Sequence, residues 1–486
     1  PATPPPIMAI STWTSCTGWF IQKLLAQRVW HYTEGIAILP STRKNAMQDN
    51  TNIMSRLLYT LIYTLLLPVI LLRLLWRSRL APAYRQRWLE RFGVFTAPAF
   101  DQSKPVIWLH AVSVGETLAA VPLIKQLQLD HPDWQWIITT TTPTGSEQVR
   151  AIFGDAILQN NFAHVYAPYD LPFFLSSFIK RAKPSLAIVM ETELWPNMLH
   201  SCHAHNIPVI IANARLSEKS ARGYKKLLPL TRSMLADVSM VAAQQNADGE
   251  RFIDLGLARD KLTVTGSIKF DLDIDDAIRN KTAVLRLQWS CNETRKVWLA
   301  ASTHPGEDEI ILQTFSELKK QFSDLLLVLV PRHPERFSTA ATQCKQAGWN
   351  IIKRSENTNP NTETDIVIGD TMGELLTFYG AADIAFVGGS LVPVGGHNLI
   401  EPASWACPVI SGPHLFNFSE VERLLQENNA LIIAKDSDAL ITTVKNWLTD
   451  EELRKNAGKR AKQVADNNRG ALNKLCSIIT EIKKAA

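Results

Sequence analysis

The sequence predicts a two-lobed α/β protein, each lobe a doubly wound parallel sheet, with a membrane-anchor helix ahead of them. Three observations predict it. From Pro105 onward, short β-rich runs alternate with helical segments, the pattern of repeated βαβ units. The series breaks once, at the acidic stretch Asp271-Leu-Asp-Ile-Asp-Asp276, and then begins again. Ahead of both series, residues 57–72 carry no charge.

A chain of 486 residues is long enough for two or three domains with sizeable cores. Its 51 basic and 46 acidic side chains leave a net charge of +5, too small to argue for nucleic acid as a partner. Six cysteines (Cys16, Cys202, Cys291, Cys344, Cys407 and Cys476) form no C-x-x-C pair. That argues against a zinc site and a disulfide framework, and for a reducing compartment.

In chain order, residues 1–53 carry Pro-rich, Trp-rich and polar pieces without sustained periodicity, an extension of unknown order. Met54 is the expected start of translation. Residues 54–80 form the anchor. Its uncharged run is slightly shorter than the ~20 residues of a spanning helix, so it is either a shallow anchor or a span in which Arg73 snorkels. Arg73, Arg77, Arg79, Arg85, Arg87 and Arg91 follow, which puts that side in the cytoplasm and suits anionic head groups. The competing reading is a buried core helix with a solvated basic face. A cleaved signal peptide fits less well, since no small-residue cleavage site follows.

Residues 81–270 make the first lobe, with strands expected at 106–110, 134–140, 164–167, 186–191, 209–213, 239–242 and 262–265. Residues 271–290 read as an interdomain connection. The second lobe, 291–449, has strands expected at 297–301, 325–330, 350–352, 365–368, 384–387, 408–411 and 431–434. The two lobes are expected to face each other across a cleft. From Asp450 to the end the chain is a charged helix, expected to pack back over the lobes.

Polar residues gather just after these strands, where open parallel sheets bind ligands. In the first lobe, His110-Ala-Val-Ser-Val-Gly-Glu116 turns from strand to helix. Glu116 is either a functional carboxylate or a first-turn residue complementing the helix dipole. Met190-Glu-Thr-Glu-Leu-Trp-Pro196 and Asn213-Ala-Arg-Leu-Ser217 bring Glu191, Glu193 and Arg215 to neighbouring strand ends. They suit a polar acceptor, and the two glutamates equally suit structural pairing with Arg215 or Arg222. In the second lobe, Ala300-Ala-Ser-Thr-His-Pro-Gly-Glu307 offers the hydroxyls of Ser302 and Thr303 and free backbone N–H groups for a phosphate. Pro331-Arg-His-Pro334 supplies Arg332, a candidate for bidentate phosphate contact, beside His333. Helix caps and surface charge explain either stretch taken alone. Gly388-Gly-Ser-Leu-Val-Pro-Val-Gly-Gly-His-Asn-Leu-Ile-Glu-Pro402 has four glycines and a His397, Asn398, Glu401 spacing that would put His397 and Glu401 on one helix face. Glu401 can accept from ribose hydroxyls.

From Met54 onward these residues resemble the 3-deoxy-D-manno-oct-2-ulosonate (Kdo) transferases of lipopolysaccharide synthesis. The resemblance is carried by His-Ala-Val-Ser-Val-Gly-Glu116, Glu-Thr-Glu-Leu-Trp-Pro196, Gly-Ser-Ile-Lys-Phe-Asp271, Pro-Arg-His-Pro334, Met-Gly-Glu-Leu375 and Gly-Gly-His-Asn398 with Glu401-Pro402, in that order. It implies a GT-B glycosyltransferase that takes CMP-Kdo as donor and the glucosamine disaccharide of the lipid A precursor as acceptor. Glu116 is then the general base. Ser302, Arg332, Gly373, Glu374, Asn398 and Glu401 hold CMP, with Thr303 and His333 beside them, and Lys269 reaches the donor's phosphate or carboxylate. Ser113, Glu191, Glu193 and Arg215 fall to the acceptor. The implied partners are CMP-Kdo, the lipid A precursor and anionic inner-membrane lipids, with the catalytic lobes on the cytoplasmic face. No aspartate cluster suggests a metal, and no cofactor is expected. The rivals are a UDP-sugar transferase or epimerase of GT-B type, and a two-lobed solute-binding protein, which would give Glu116 no role.

Overall fold

The computed structural model describes residues 41–486 apart from 159–160, 273 and 291–294. The expected extension as far as residue 40, with Cys16, and also Cys291, lie outside the described residues. The chain divides into two compact units, one running to Ile268 and taking up Gly470–Ala486, the other Lys269–Arg469.

The first unit opens with α1 (Ser41–Leu80). Its segment Ile53–Arg79 is long and apolar enough to cross a membrane. One face is docked: Tyr59 is buried against Leu227 and Leu230, with Ile62, Tyr63 and Leu66 alongside, and Thr60 Oγ1 donates to Asn197 Oδ1 at 3.0 Å. The opposite face, Met54, Leu57, Leu61, Leu65, Val69, Leu72 and Trp76, recurs every three or four residues and is exposed along its whole length.

Of the arginines that follow, two do not serve the basic membrane-facing cluster that the sequence suggests. Strand β3 (Phe162–Tyr166) is an edge strand, so its outward C=O and N–H groups need partners. Arg87 Nη2 donates to His164 O, and Glu90 Oε2 accepts from Tyr166 N at 2.8 Å. Arg91, 6 % exposed, donates to Thr141 O at 2.9 Å and stacks on the Tyr166 ring. The Arg87 guanidinium is consumed in closing the sheet edge, and that of Arg91 is buried against the Thr141 carbonyl.

The remaining elements of this unit are β1 (Val106–His110), α2 (Val114–Asp130), β2 (Gln135–Thr140), α3 (Pro143–Leu158), α4 (Pro172–Ala182), β4 (Leu186–Met190), α5 (Pro196–Ala204), β5 (Val209–Ala214), α6 (Glu218–Lys225), α7 (Leu228–Ala236), β6 (Met240–Ala243), α8 (Asn246–Asp254) and β7 (Leu262–Val264). The strands form one parallel sheet in the order β3-β2-β1-β4-β5-β6-β7. Helices cover both faces, so β1, β2, β4 and β5 are buried at every position. Docking of α1 on α7 accounts for Leu227 and Leu230 being apolar on an otherwise outer helix.

The second unit contains α9 (Asp276–Trp289), β8 (Val297–Thr303), α10 (Glu307–Lys319), β9 (Leu326–Pro331), α11 (Phe337–Gln346), β10 (Ile351–Lys353), β11 (Ile366–Ile368), α12 (Leu375–Ala381), β12 (Ile384–Val387), α13 (Ile400–Ser404), β13 (Val409–Ser411), α14 (Ser419–Glu427), β14 (Leu431–Ile433), α15 (Ser437–Thr449) and α16 (Glu451–Asn467). Its parallel sheet has the order β10-β11-β9-β8-β12-β13-β14. The stretch expected as an interdomain connection is mostly α9. Leu285 and Trp289 lie in the core with Phe378 and Tyr379, and Arg286 pairs with Asp383 at 2.9 Å. Charge on the outer face of α9 had masked that apolar stripe. The tail is two helices. α16 ends at its C-cap Asn468, Gly470 takes φ 95 as the N-cap of α17 (Ala471–Ala485), and α17 packs Leu475 and Ile479 into the first unit's core with Leu123 and Leu127.

Candidate active site

The first strand order reverses direction between β1 and β4, and the second does so between β8 and β12. Adjacent crossovers there leave on opposite faces and open a crevice at the strands' carboxyl ends. Most of the predicted site residues follow strands at or beside these two points; Lys269 follows the edge strand β7, and Gly373 and Glu374 follow β11, one strand further out.

In the first unit, Ser113 caps α2 and accepts the Glu116 N–H at 3.2 Å. The Glu116 side chain turns back over the cap: Oε2 accepts from Val112 N–H at 2.6 Å and Oε1 from the Ser113 hydroxyl at 3.1 Å. Glu116 is 9 % exposed. Burial holds its carboxyl well above the ordinary glutamate value, and the negative charges of Glu193 and Glu191 push it further. Val112 and Ser113 oppose this as donors to the charged form. The three glutamates are therefore one electrostatic group, delivered by β1 and β4. Glu193 is also raised, by burial first and then by Glu191, against the indole N–H of Trp195, which donates to it at 2.8 Å. Glu191 takes φ 56, a left-handed turn straight after β4 that swings the next residues across the edge. Thr192 Oγ1 donates to Arg215 O, joining the ends of β4 and β5.

His110 is buried at the end of β1. Its Nδ1 lies 2.9 Å from Thr139 Oγ1 and its ring meets Trp195 edge-on, centroids 4.6 Å apart. Burial pushes its pKa down to about 3, so it is neutral at physiological pH. It braces the indole that orients Glu193. Trp195 is the member of this cluster least visible in the sequence, since a tryptophan before a helix-opening proline also serves as plain core.

In the second unit, β8 bulges at Ser302, which takes φ 56. Ser302 and Thr303 are buried there. One of the N–H groups expected to be free, that of His304, is engaged, because Glu307 opens α10 and turns its carboxylate back to accept it at 2.9 Å. Arg332 and His333 are exposed past β9. Arg332 lies close enough for its charge to act on His304, His397 and Glu401.

His397 and Glu401 do not share a helix face, contrary to their spacing. Gly395 and Gly396 take φ 109 and 77, and α13 begins only at Ile400, so His397 stays in the loop. It stacks on His304, with the two Nε2 atoms 2.9 Å apart. Its pKa is pushed down to about 3, by burial first and then by Arg332. Asn398 accepts the Ile400 N–H at 3.0 Å and donates to Glu401 Oε1 at 3.0 Å. Burial raises the Glu401 carboxyl, with Asn398 and Arg332 opposing.

Gly373 and Glu374 follow β11, next to β9 on the same edge. Glu374 accepts from Arg354 Nη2 at 2.8 Å and from Thr371 Oγ1. Burial disfavours its charge, but these donors prevail and hold its pKa below the usual value. Lys269 sits in the short turn Ile268–Phe270 after β7, where the chain passes from one unit to the other. Among the described residues no group of three His, Cys, Asp or Glu side chains is placed to hold a metal ion. A cavity beside β3, lined by Trp88, Phe95, Phe100 and Phe162, includes none of these site residues.

Comparison with known proteins bears on the chemistry. The family described as 3-deoxy-D-manno-octulosonic-acid transferase (kdotransferase) matches residues 86–272, and glycosyl transferases group 1 matches residues 307–464. The 3-deoxy-D-manno-octulosonic acid transferase of Haemophilus influenzae is 45% identical over 427 residues, 88% of this chain and 98% of that protein. The enzyme of the same name from Bordetella pertussis is 36% identical, covering 79% of this chain and 89% of its own. The crystal structure of the C-terminal CMP-Kdo binding domain of WaaA from Acinetobacter baumannii is similar at 32% identity and TM-score 0.38, over 39% of this chain and 98% of that one. With such identity along most of its length, the chain belongs to the 3-deoxy-D-manno-octulosonic acid (Kdo) transferase family and is a glycosyltransferase with two GT-B-type α/β units.

Proposed function

We propose that this Kdo transferase moves Kdo from CMP-Kdo to the glucosamine disaccharide of the lipid A precursor, with inversion, and that Glu116 is the general base. The observation that carries the reading is the Glu116 carboxyl itself, buried at the carboxyl edge of β1 beside two like charges. A group with raised proton affinity is suited to take a proton from an attacking hydroxyl. In the reaction the acceptor hydroxyl attacks the anomeric carbon, Glu116 takes its proton, and the bond from that carbon to the CMP phosphate oxygen breaks. One displacement with one base inverts the configuration. Ser113, Glu191, Glu193 and Arg215 hold the acceptor.

The leaving CMP carries away negative charge, which Arg332 and Lys269 offset. Ser302, Thr303, His333, Gly373, Glu374 and Asn398 line the nucleotide, and Glu401 accepts from its ribose. The exposed face of α1 enters the inner membrane, and Arg73 and Arg79 meet anionic head groups, which keeps the catalytic units on the cytoplasmic side beside a lipid acceptor.

Radiolabelled transfer from CMP-Kdo to lipid A precursor, with CMP and UDP as competitors, tests the donor. CMP is expected to compete and UDP not to. Preference for UDP defeats the CMP-Kdo assignment. Mass spectrometry of the product identifies the acceptor.

A further inference from the structure

We infer that Glu307 is a positioning residue of the donor site: its carboxylate fills the ring of backbone N–H groups offered by the 388–391 loop. The loop then meets the nucleotide as a preformed wall and leaves the donor's phosphate to cationic side chains. The inference rests on the reading that the second unit takes the nucleotide.

Glu307 is fully buried at the first position of α10. Its Oε2 accepts the N–H groups of His304 at 2.9 Å and Gly389 at 2.7 Å, and its Oε1 those of Ser390 and Leu391, both at 2.9 Å. A carboxylate has about four acceptor sites, so this one is saturated. A glycine-rich turn after a parallel strand is where backbone N–H groups commonly converge on a phosphate. Here they converge on the chain's own anion.

The fit leaves no slack. A Cβ at Gly388 would stand 2.8 Å from Glu307 Oε2 and 2.8 Å from Ser302 O, which is why the loop begins with glycine. Ser390 Oγ donates to Val387 O at 2.7 Å and accepts Gly412 N–H at 2.8 Å. His397, at the loop's far end, is tied to His304 through their Nε2 atoms, 2.9 Å apart. The first turn of α10 also carries Asp308, paired with Arg336, and Glu309, so this helix end offers no surplus positive charge to a second anion. Arg332, exposed at the end of the neighbouring strand, is the cation this edge offers instead.

The test is titration calorimetry of CMP into wild type, Glu307→Gln and Glu307→Ala. Glutamine keeps one acceptor oxygen and turns an NH₂ on N–H groups, so the loop is released. Both variants are expected to bind CMP at least about tenfold more weakly. Excess acetate re-enters the vacated ring in Glu307→Ala and restores affinity, but not in Glu307→Gln, where the space is filled. Folded variants with wild-type CMP affinity overturn the inference. A merely stabilising carboxylate would lower the unfolding temperature and leave Kd and the acetate response unmoved. If neither variant folds, hydrogen exchange in the wild type decides: amides 389–391 should be protected without nucleotide, and fast exchange that slows only with CMP overturns the inference. Wild type that binds no CMP sinks the nucleotide reading, while exchange still reports on the loop.

Discussion

Replacing Glu116 with glutamine separates catalysis from folding. Glutamine can accept the Val112 N–H now held at 2.6 Å, and its NH₂ can donate to Ser113 Oγ, now 3.1 Å away, so the turn keeps both contacts. The base is lost. General base catalysis is worth roughly 10²–10⁴-fold, or ~3–5 kcal/mol of barrier at ~1.4 kcal/mol per tenfold. Stability moves the other way. Glu116 binds its proton more tightly folded than unfolded, because burial and then Glu193 and Glu191 disfavour its charge. Folded protein therefore carries the extra proton, and stability falls as pH rises from the ordinary glutamate range through the raised pKa. The glutamine variant escapes that loss, so its unfolding free energy in urea at neutral pH should equal or exceed wild type. The transfer rate of wild type should rise with pH as Glu116 ionises, and removing one neighbouring charge with Glu193→Gln should move that rise to lower pH. The assay is initial-rate Kdo transfer across pH, beside urea unfolding of each protein. Glu116→Gln retaining more than about a tenth of wild-type rate refutes the base assignment.

Three more predictions concern Arg91 and the helix α1. Arg91 Nη2 donates to Thr141 O, Thr141 Oγ1 donates to Val112 O, both at 2.9 Å, and Val112 N–H donates to Glu116, a continuous chain from the segment after α1 to the carboxylate. Arg91→Met should cost about 1–3 kcal/mol of stability and lower kcat with little change in donor KM; an unchanged kcat would leave Arg91 a purely structural role. On α1, the pair Leu61→Glu and Leu65→Glu, at 57% and 69% exposed, should abolish sedimentation with anionic vesicles at unchanged unfolding temperature. Undiminished sedimentation would move membrane contact elsewhere. Deleting the whole helix instead uncovers Leu227 and Leu230 and should destabilise the first unit.

The parallel sheets were legible because strands buried on both faces must be apolar throughout, and β1 and β8 are so. The position of Glu116 was legible for a related reason, since a carboxylate in the turn after such a strand falls at the carboxyl edge of the sheet. The helix α9 was not, because a long charged face outweighs two core residues, Leu285 and Trp289, when the partner surface is unknown. Nor were the fates of Arg87 and Arg91. A run of arginines looks like one basic patch until the edge strand that takes the Arg87 N–H and the Thr141 carbonyl that takes the Arg91 N–H are in place.

What the sequence determined by itself is the succession of strands along the chain and the set of polar residues that follow them, since both are written in local periodicity and turn chemistry. What only the tertiary structure decided is which of them share a field or a hydrogen bond. Burial raises the proton affinity of Glu116 first, and Glu193 and Glu191, 77 and 75 residues away along the chain, add to it because strand order sets β4 beside β1. Glu307 and Gly389 are 82 residues apart and meet because β12 pairs with β8. Charge and hydrogen bonding act through space over a few ångströms, and sequence separation carries no such distance until the sheet is built.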